Sequence, residues 1–207
     1  MNIVLIGAPG SGKGTLGAKL EKAFGYKHIS VGKLMREEAK TNAKIKETIN
    51  NGALVDNKTI KQILQQRLKQ ADCYKGYILD GYPRSLLQAK DLVEIADIDY
   101  VIFLKIKEEE IYNRLTNRLS CTKCNSVYDK RAENINICKN CGGNLEVRSD
   151  DNLQTIKKRL KVFNQNKKQL LEFFENQVLD VPADGTPEEV FEFVSKILKE
   201  GAKKVGC

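Results

Sequence analysis

Two hydrophobic periods alternate along the chain, and the places where one gives way to the other predict an order of strands and helices. Residues 2–6 are a short apolar run with β-branched members that stops at Gly7, the pattern of a buried strand. After the next glycines, Leu16, Leu20, Ala23 and Phe24 recur at helical spacing, so a loop leads from strand into helix. Residues 26–30 predict a second strand, 32–50 two short helical stretches with polar loops, and 50–57 a turn-rich break. Ile60, Ile63, Leu64 and Leu68 mark a longer helix. Residues 77–80 predict a third strand, closed by Gly81 and Pro83, and Leu86, Leu87, Ala89 and Leu92 a helix behind it. Residues 100–106 are the most hydrophobic strand candidate. The spacing predicts a helix over 108–118, with Glu108, Glu109 and Glu110 at its start and Arg114 and Arg118 at its end, the polarity a helix dipole favours.

Between 119 and 149 the pattern breaks: the stretch is polar, carries cysteines and shows no helical period. Helical spacing returns at Leu153, Ile156, Leu160, Phe163, Leu170, Leu171 and Phe174, and 178–181 predict a fifth strand. Thr186-Pro187-Glu188-Glu189 is a capping box with proline at the first helical position, followed by Val190, Phe193, Val194 and Ile197. Strands alternating with helices predict an α/β fold: a five-stranded parallel sheet with helices on both faces and one insertion.

Composition narrows the class. The chain has 207 residues and is 41% hydrophobic, enough for one domain with an insertion and too apolar for long disordered tracts. The apolar run at the start is five residues, short for a leader or a membrane span, and nothing later approaches the ~20 a span requires, so a soluble, cytoplasmic protein without a membrane partner is expected. The net charge of +8 fits either a solvated basic surface or attraction to phosphates, and only the location of the charges decides between them. Six cysteines in a cytoplasmic chain point to metal or free thiols before disulfides.

Residues 7–15 read GAPGSGKGT. Gly7, Gly12 and Lys13 fit the phosphate-loop spacing G-x-x-x-x-G-K, but Gly14 stands where a hydroxyl is expected to touch Mg²⁺. The match follows a strand and opens a helix, as the mechanism requires. The backbone N–H groups of Gly10, Ser11, Gly12, Lys13, Gly14 and Thr15 can then wrap phosphate oxygens, and the Lys13 ammonium can reach the β and γ phosphates. Without a hydroxyl at 14, Mg²⁺ must sit on phosphates and water, with a carboxylate nearby. Asp80, at the end of the third strand, is the candidate, acting through water; a turn-forming aspartate before Gly81 is the alternative.

GAPGSGKGT, ISVGKLMR at 29–36, LDGYPRSLLQA at 79–89 and DGTPEEV at 184–190 together resemble the adenylate kinase family, over essentially the whole chain. In that family a glycine at the hydroxyl position is normal. The resemblance implies a P-loop three-layer fold, with a core of 1–29, 60–118 and 150–207, a monophosphate-binding segment at 30–59 and a lid at 119–149. It implies a monomeric kinase that moves the terminal phosphoryl group of ATP to AMP, reversibly, giving two ADP, and so serves adenine nucleotide homeostasis. The catalytic set it implies is Lys13, Arg84, Arg118, Arg148 and Arg159. Arg36 and Arg84 resemble the arginines on the acceptor phosphate, and Arg118, Arg148 and Arg159 those that clamp the transferred group, the last two also serving AMP. Arg114 resembles the arginine that lies on the ATP base, where Gly185 also belongs. Gln88 resembles the residue that reads the AMP base edge, with Val31, Ala53, Leu54, Val55 and Gly81 beside it. Val31 departs from the threonine usual in the family, and Lys33 from the usual aspartate. Asp150 and Asp151 read either as helix caps or as a lock for the closed lid.

Cys121-x2-Cys124 is followed after thirteen residues by Cys138-x2-Cys141, a spacing that predicts one zinc in a closed, structural site. Gly142-Gly143 permits the tight turn behind the second pair. Cys73 and Cys207 have no neighbour at ligand spacing; Cys73 is read as core and the single histidine, His28, as structural. The competing readings are a UMP/CMP kinase of the same fold, against which stand the long lid and Gln88, and a P-loop ATPase regulator, against which stand Gln88 and the DGYPR segment. A third is a zinc-ribbon nucleic-acid binder, against which 119–149 offers only Tyr128 for stacking; nucleic acid is therefore not an expected partner.

Overall fold

The structure is a computed structural model that describes residues 1–131 and 135–205; Cys207 and part of the insertion, 132–134, lie outside the described residues. β1 (Asn2–Gly7) passes through the glycine loop into α1 (Lys13–Phe24), which returns the chain to β2 (Lys27–Ser30). Two short helices, α2 (Val31–Glu38) and α3 (Ala43–Asn50), and the longer α4 (Asn57–Leu68) precede β3 (Tyr77–Asp80). α5 (Leu86–Val93) leads to β4 (Tyr100–Lys105), and α6 (Glu108–Thr116) leads into the insertion, with its short strands β5 (Arg118–Cys121), β6 (Val127–Asp129) and β7 (Leu145–Glu146). α7 (Leu153–Phe173), β8 (Val178–Pro182) and α8 (Pro187–Val205) follow. The predicted strands and helices of the main body are present.

The main sheet is parallel throughout, in the order β2-β3-β1-β4-β8. Alternation along β1 divides its side chains between two cores. Ile3 and Leu5 pack with Leu16 and Leu20 of α1 and Val190, Val194 and Leu198 of α8. Val4 and Ile6 pack on the opposite face with Ile60 and Leu64 of α4, Leu92 of α5 and Leu170 of α7. The central strands β1, β3 and β4 are thus buried on both faces, which is why they read as continuous apolar runs. α1 lies close on β2 because residue 17 is glycine: a Cβ there would stand 2.5 Å from the His28 ring.

Polar side chains start the helices where the sequence offers them. Asn42, Asp56, Ser85 and Asn152 each accept a hydrogen bond from the backbone N–H three residues on. Thr186 and Glu189 form the reciprocal capping box predicted for α8: the N–H of Thr186 donates to Glu189 Oε2 at 2.8 Å, and the N–H of Glu189 to Thr186 Oγ1 at 3.2 Å.

One expectation changes. Arg118 is not at the end of a helix. α6 stops at Thr116, the N–H of Lys130 bonds the Asn117 carbonyl, and Arg118 opens β5 opposite Asp129. The insertion, where the sequence shows no helical period, holds short strands, with β5 paired antiparallel to both β6 and β7. Strands of two to four residues are too short to leave a period in the sequence.

Candidate active site

The glycine loop is shaped by two residues in the left-handed region, Gly10 at φ 80° and Gly12 at φ 94°, where glycine alone is free of strain. Gly12 caps α1 without a side chain, and the first turn of α1 carries no acid, so its N–H groups and positive dipole end are left for an anion. The Lys13 ammonium folds back over the loop, donating to the carbonyls of Gly7 and Ala8, both at 2.8 Å, and to Ser11 Oγ at 3.3 Å. Burial is the main cause that pushes the Lys13 pKa down to about 8; Asp80 opposes the shift, and Arg84, Arg159 and Arg118 add to it.

Asp80 ends β3 beside this loop. A Cβ at position 14 would stand 3.5 Å from Asp80 Oδ2, so the glycine leaves open the space between the loop and the carboxylate. His28 Nε2 lies 3.7 Å from the same oxygen, too far for a hydrogen bond. Burial works to raise the Asp80 pKa, but His28, Lys13 and Arg84 outweigh it and hold the carboxyl below the usual range. One ionised carboxylate with open space before it fits a hydrated Mg²⁺, which keeps most of its waters and takes few protein ligands.

Next to the loop lies a cleft lined by Val31, Arg36, Ala53, Leu54, Val55, Gly81, Arg84, Gln88 and Arg159. These are the predicted acceptor-site residues except Arg148. Its lining also includes the apolar Met35, Ile49 and Ile60 and one acid, Asp150, beside the three arginines. Arg84 Nε donates to the Gly81 carbonyl at 2.6 Å. Displacement of water by the surrounding protein, and then Arg159, lower the Arg84 pKa to about 10; Arg36 is lowered from the same first cause. Gln88 is buried, with its amide held at both ends: Oε1 accepts from the Arg84 N–H at 2.8 Å and Nε2 donates to Asn57 Oδ1 at 3.0 Å.

The other predicted arginines stand where the insertion joins α7. Arg118 makes a two-pronged pair with Asp151, Nε to Oδ2 at 2.7 Å and Nη2 to Oδ1 at 2.5 Å. Arg159 Nη1 meets Asp150 Oδ2 at 2.9 Å. Arg148 Nε donates to Ser120 Oγ at 2.7 Å, and burial, then Arg118 and Arg36, lower its pKa to about 9. Both aspartates are buried, and neither caps α7; that place is held by Asn152, so of their two readings the helix cap is overturned. Arg114 pairs with Glu110 at 2.8 Å, and its Nη2 stands 3.5 Å from the Gly185 carbonyl, beside Gly12 of the loop. The arrangement gathers seven cations, Lys13, Arg36, Arg84, Arg114, Arg118, Arg148 and Arg159, near the glycine loop and the cleft.

Apart from the arginines, the four predicted cysteines come together. Their sulfurs all lie within 4.8 Å of one another, with Cys121–Cys141 at 3.4 Å and Cys124–Cys138 at 3.5 Å. Four sulfurs on a zinc at about 2.3 Å would stand about 3.8 Å apart, so the donor set and its spacing fit that metal. The N–H groups of Lys123 and Cys124 point at Cys121 Sγ, at 3.4 and 3.5 Å, and a Cβ at Gly143 would press on the same sulfur at 2.9 Å. Cys73 is buried, as expected, and also meets Arg67 Nη1 at 3.1 Å.

Reading the sequence missed the partners: Asn57 for Gln88, Ser120 for Arg148 and His28 beside Asp80. No local pattern marks them, because each pair joins segments far apart in the chain.

A family model described as adenylate kinase matches residues 5–179. Among similar proteins, an adenylate kinase of Thermoanaerobacter sp. (strain X514) is 34% identical, over 98% of this chain and 100% of its own length. Adenylate kinases of Methanosarcina barkeri and Archaeoglobus fulgidus are 37% and 36% identical, over 98% and 97% of this chain and 100% and 99% of their own.

The lowered pKa of Lys13 carries a signed consequence for ligand binding. Near pH 8 the ligand-free ammonium is about half deprotonated, and a polyphosphate draws the proton back by favouring the charged form. Calorimetry with a nucleoside triphosphate near pH 8, in buffers of different ionisation enthalpy, should show net proton uptake that fades about a pH unit lower. Heats independent of the buffer at both pH values would remove this role for the lysine.

Proposed function

The chain belongs to the adenylate kinase family, and on that premise we propose that it transfers the terminal phosphoryl group of ATP to AMP, reversibly, giving two ADP, in adenine nucleotide homeostasis. The observation that carries this reading is the cleft that Arg36, Arg84 and Arg159 line together with apolar side chains and the Gln88 amide, close enough to the glycine loop for Arg84 and Arg159 to act on Lys13. A base, a phosphate and a second phosphate chain can be laid through these spaces in that order.

In this reading the backbone of Gly10, Ser11, Gly12, Gly14 and Thr15 receives the ATP phosphates, and Lys13 exchanges the loop carbonyls for the β and γ oxygens. Arg114 and the Gly185 loop flank the ATP base, and Arg118 reaches the phosphates beside it. AMP lies against Val31, Ala53, Leu54, Val55 and Gly81, with its base edge on Gln88 and its phosphate on Arg36 and Arg84. Arg148 and Arg159 approach from the far side and, with Arg84, Arg118 and Lys13, neutralise charge on the group in flight. The chemistry asks for positioning and electrostatics more than for a covalent step. Asp80 would hold a bound Mg²⁺ through water, and the ion would offset charge on the phosphate oxygens.

The same reading divides the chain into a core of 1–29, 60–118 and 150–207, an acceptor segment of 30–59, and a lid of 119–149 that closes over ATP. Arg118 with Asp151 and Arg159 with Asp150 would lock the lid's base. Zinc would be structural, because the insertion's own core among the described residues is Cys121, Cys138 and Leu145, two of them metal candidates. A monomer in the cytoplasm, where thiols stay reduced, completes the picture; no described helix is long and apolar enough to cross a membrane.

Two tests follow. With ATP as donor and AMP, GMP, CMP and UMP offered as acceptors, AMP should give the highest kcat/KM; CMP or UMP used as efficiently would favour the pyrimidine kinase instead. For the metal, protein purified under reducing conditions should carry one zinc per chain. Cys138→Ser should lower the melting temperature markedly yet leave measurable transfer at low temperature. Metal-free wild-type protein, or zinc removal that stops transfer while the insertion stays folded, would contradict the structural role.

A further inference from the structure

We propose that Asn57 sharpens the base specificity of the acceptor site by helping the backbone N–H of Arg84 to fix which way the Gln88 amide faces. The inference rests on the AMP reading above and goes one residue beyond it.

A primary amide offers two N–H donors and two acceptor lone pairs, and its two ends are nearly equal in size. Nothing in glutamine itself decides which end meets the ligand. Here two neighbours decide. The backbone N–H of Arg84 can only donate, so the end facing it must be Oε1. The other end, Nε2, donates to Asn57 Oδ1 at 3.0 Å across 31 residues of sequence. One donor and one lone pair remain free, and Gln88 lines the cleft.

That leftover pair has a direction. It meets a base edge that accepts at the ring nitrogen and donates from an amino group, which is the adenine edge. Hypoxanthine presents the reverse, an N–H at the ring nitrogen and a carbonyl oxygen, and would need the amide turned round. A turned amide sets Nε2 against the Arg84 N–H, two donors face to face, and Oε1 against Asn57 Oδ1, two acceptors. A site with buried polar groups held in one sense rejects the opposite edge because the wrong ligand leaves them unpaired.

The two pins differ in stiffness. The Arg84 N–H belongs to the backbone and cannot turn. Asn57, the first residue of α4 and only half-buried, can rotate its own amide and offer Nδ2. An aspartate at 57 would accept only, and would hold Gln88 more firmly than asparagine does. The direction of the effect therefore depends on the substituent, which separates this role from simple packing.

The experiment measures kcat and KM for AMP and for IMP, which share sugar and phosphate and differ in the base edge, in wild type, Asn57→Leu, Asn57→Ala and Asn57→Asp. Melting temperatures are recorded alongside. In Asn57→Leu the ratio of kcat/KM for AMP over IMP should fall by roughly fivefold, the worth of one hydrogen bond, with most of the change in KM. Asn57→Ala, which adds no bulk, should move the ratio the same way, and Asn57→Asp should keep it or raise it. A merely structural role would scale both acceptors together and leave the ratio alone. Loss of discrimination in Asn57→Asp equal to that in Asn57→Leu, or an unchanged ratio in both Leu and Ala variants, would overturn the role of Asn57 while leaving the AMP reading intact. Wild-type protein that treats AMP and IMP alike would remove the AMP reading itself, and this role with it.

Discussion

Positive charges that repel one another at the C-terminal edge of a buried sheet are the constraint around which the molecule is organised. Lys13, Arg36, Arg84 and Arg148 all have lowered pKa values, each first through loss of water and then through neighbouring cations. The buried acids that oppose them are Asp80, Asp150 and Asp151, and the pKa values of Asp80 and Asp150 are lowered in turn. Without ligand this arrangement is frustrated, because the cations lack anions of sufficient number. In the proposed function phosphate chains would supply them, so the charge distribution that burdens the empty protein would be the one that recognises the substrates.

The fold serves this by holding the charges on short tethers from rigid elements. β1 and β3, buried on both faces, deliver the glycine loop and Asp80 side by side. α5 presents Gln88 and α7 presents Arg159, each from within a regular helix. The insertion is the exception. It brings Arg118 and Arg148 to its base but, among its described residues, has almost no apolar core of its own, so a cluster of thiols occupies the place a core would take. A metal there would supply stability without entering the chemistry.

What could be read from the sequence follows from which interactions are local. The glycine loop was legible because strand, glycines, lysine and helix are contiguous, and the cysteine pairs because ligand spacing is a property of one short segment. The α8 capping box was legible for the same reason. Arg118 was misplaced because charge polarity within a helix cannot show where the helix stops; the stop comes from pairing with Asp129, eleven residues on. Asp150 and Asp151 looked equally like caps because capping residues and ion-pair acids are chemically the same. Only the approach of Arg118 and Arg159 decides between the two. The Asn57 and Ser120 contacts are long-range hydrogen bonds between polar residues of ordinary type, and no periodicity announces them.

The claim that function and strain share one origin is tested most directly at Lys13. Lys13→Met removes a cation that its surroundings disfavour in the ligand-free protein and that, in the proposed function, neutralises phosphate charge as it develops in transfer. Melting temperature without nucleotide and turnover with saturating ATP and AMP should be measured on the same preparation. The account predicts a ligand-free melting temperature equal to or above that of wild type, together with a loss of turnover of roughly a hundredfold or more. A variant that melts well below wild type yet transfers phosphate at a near-normal rate would contradict it.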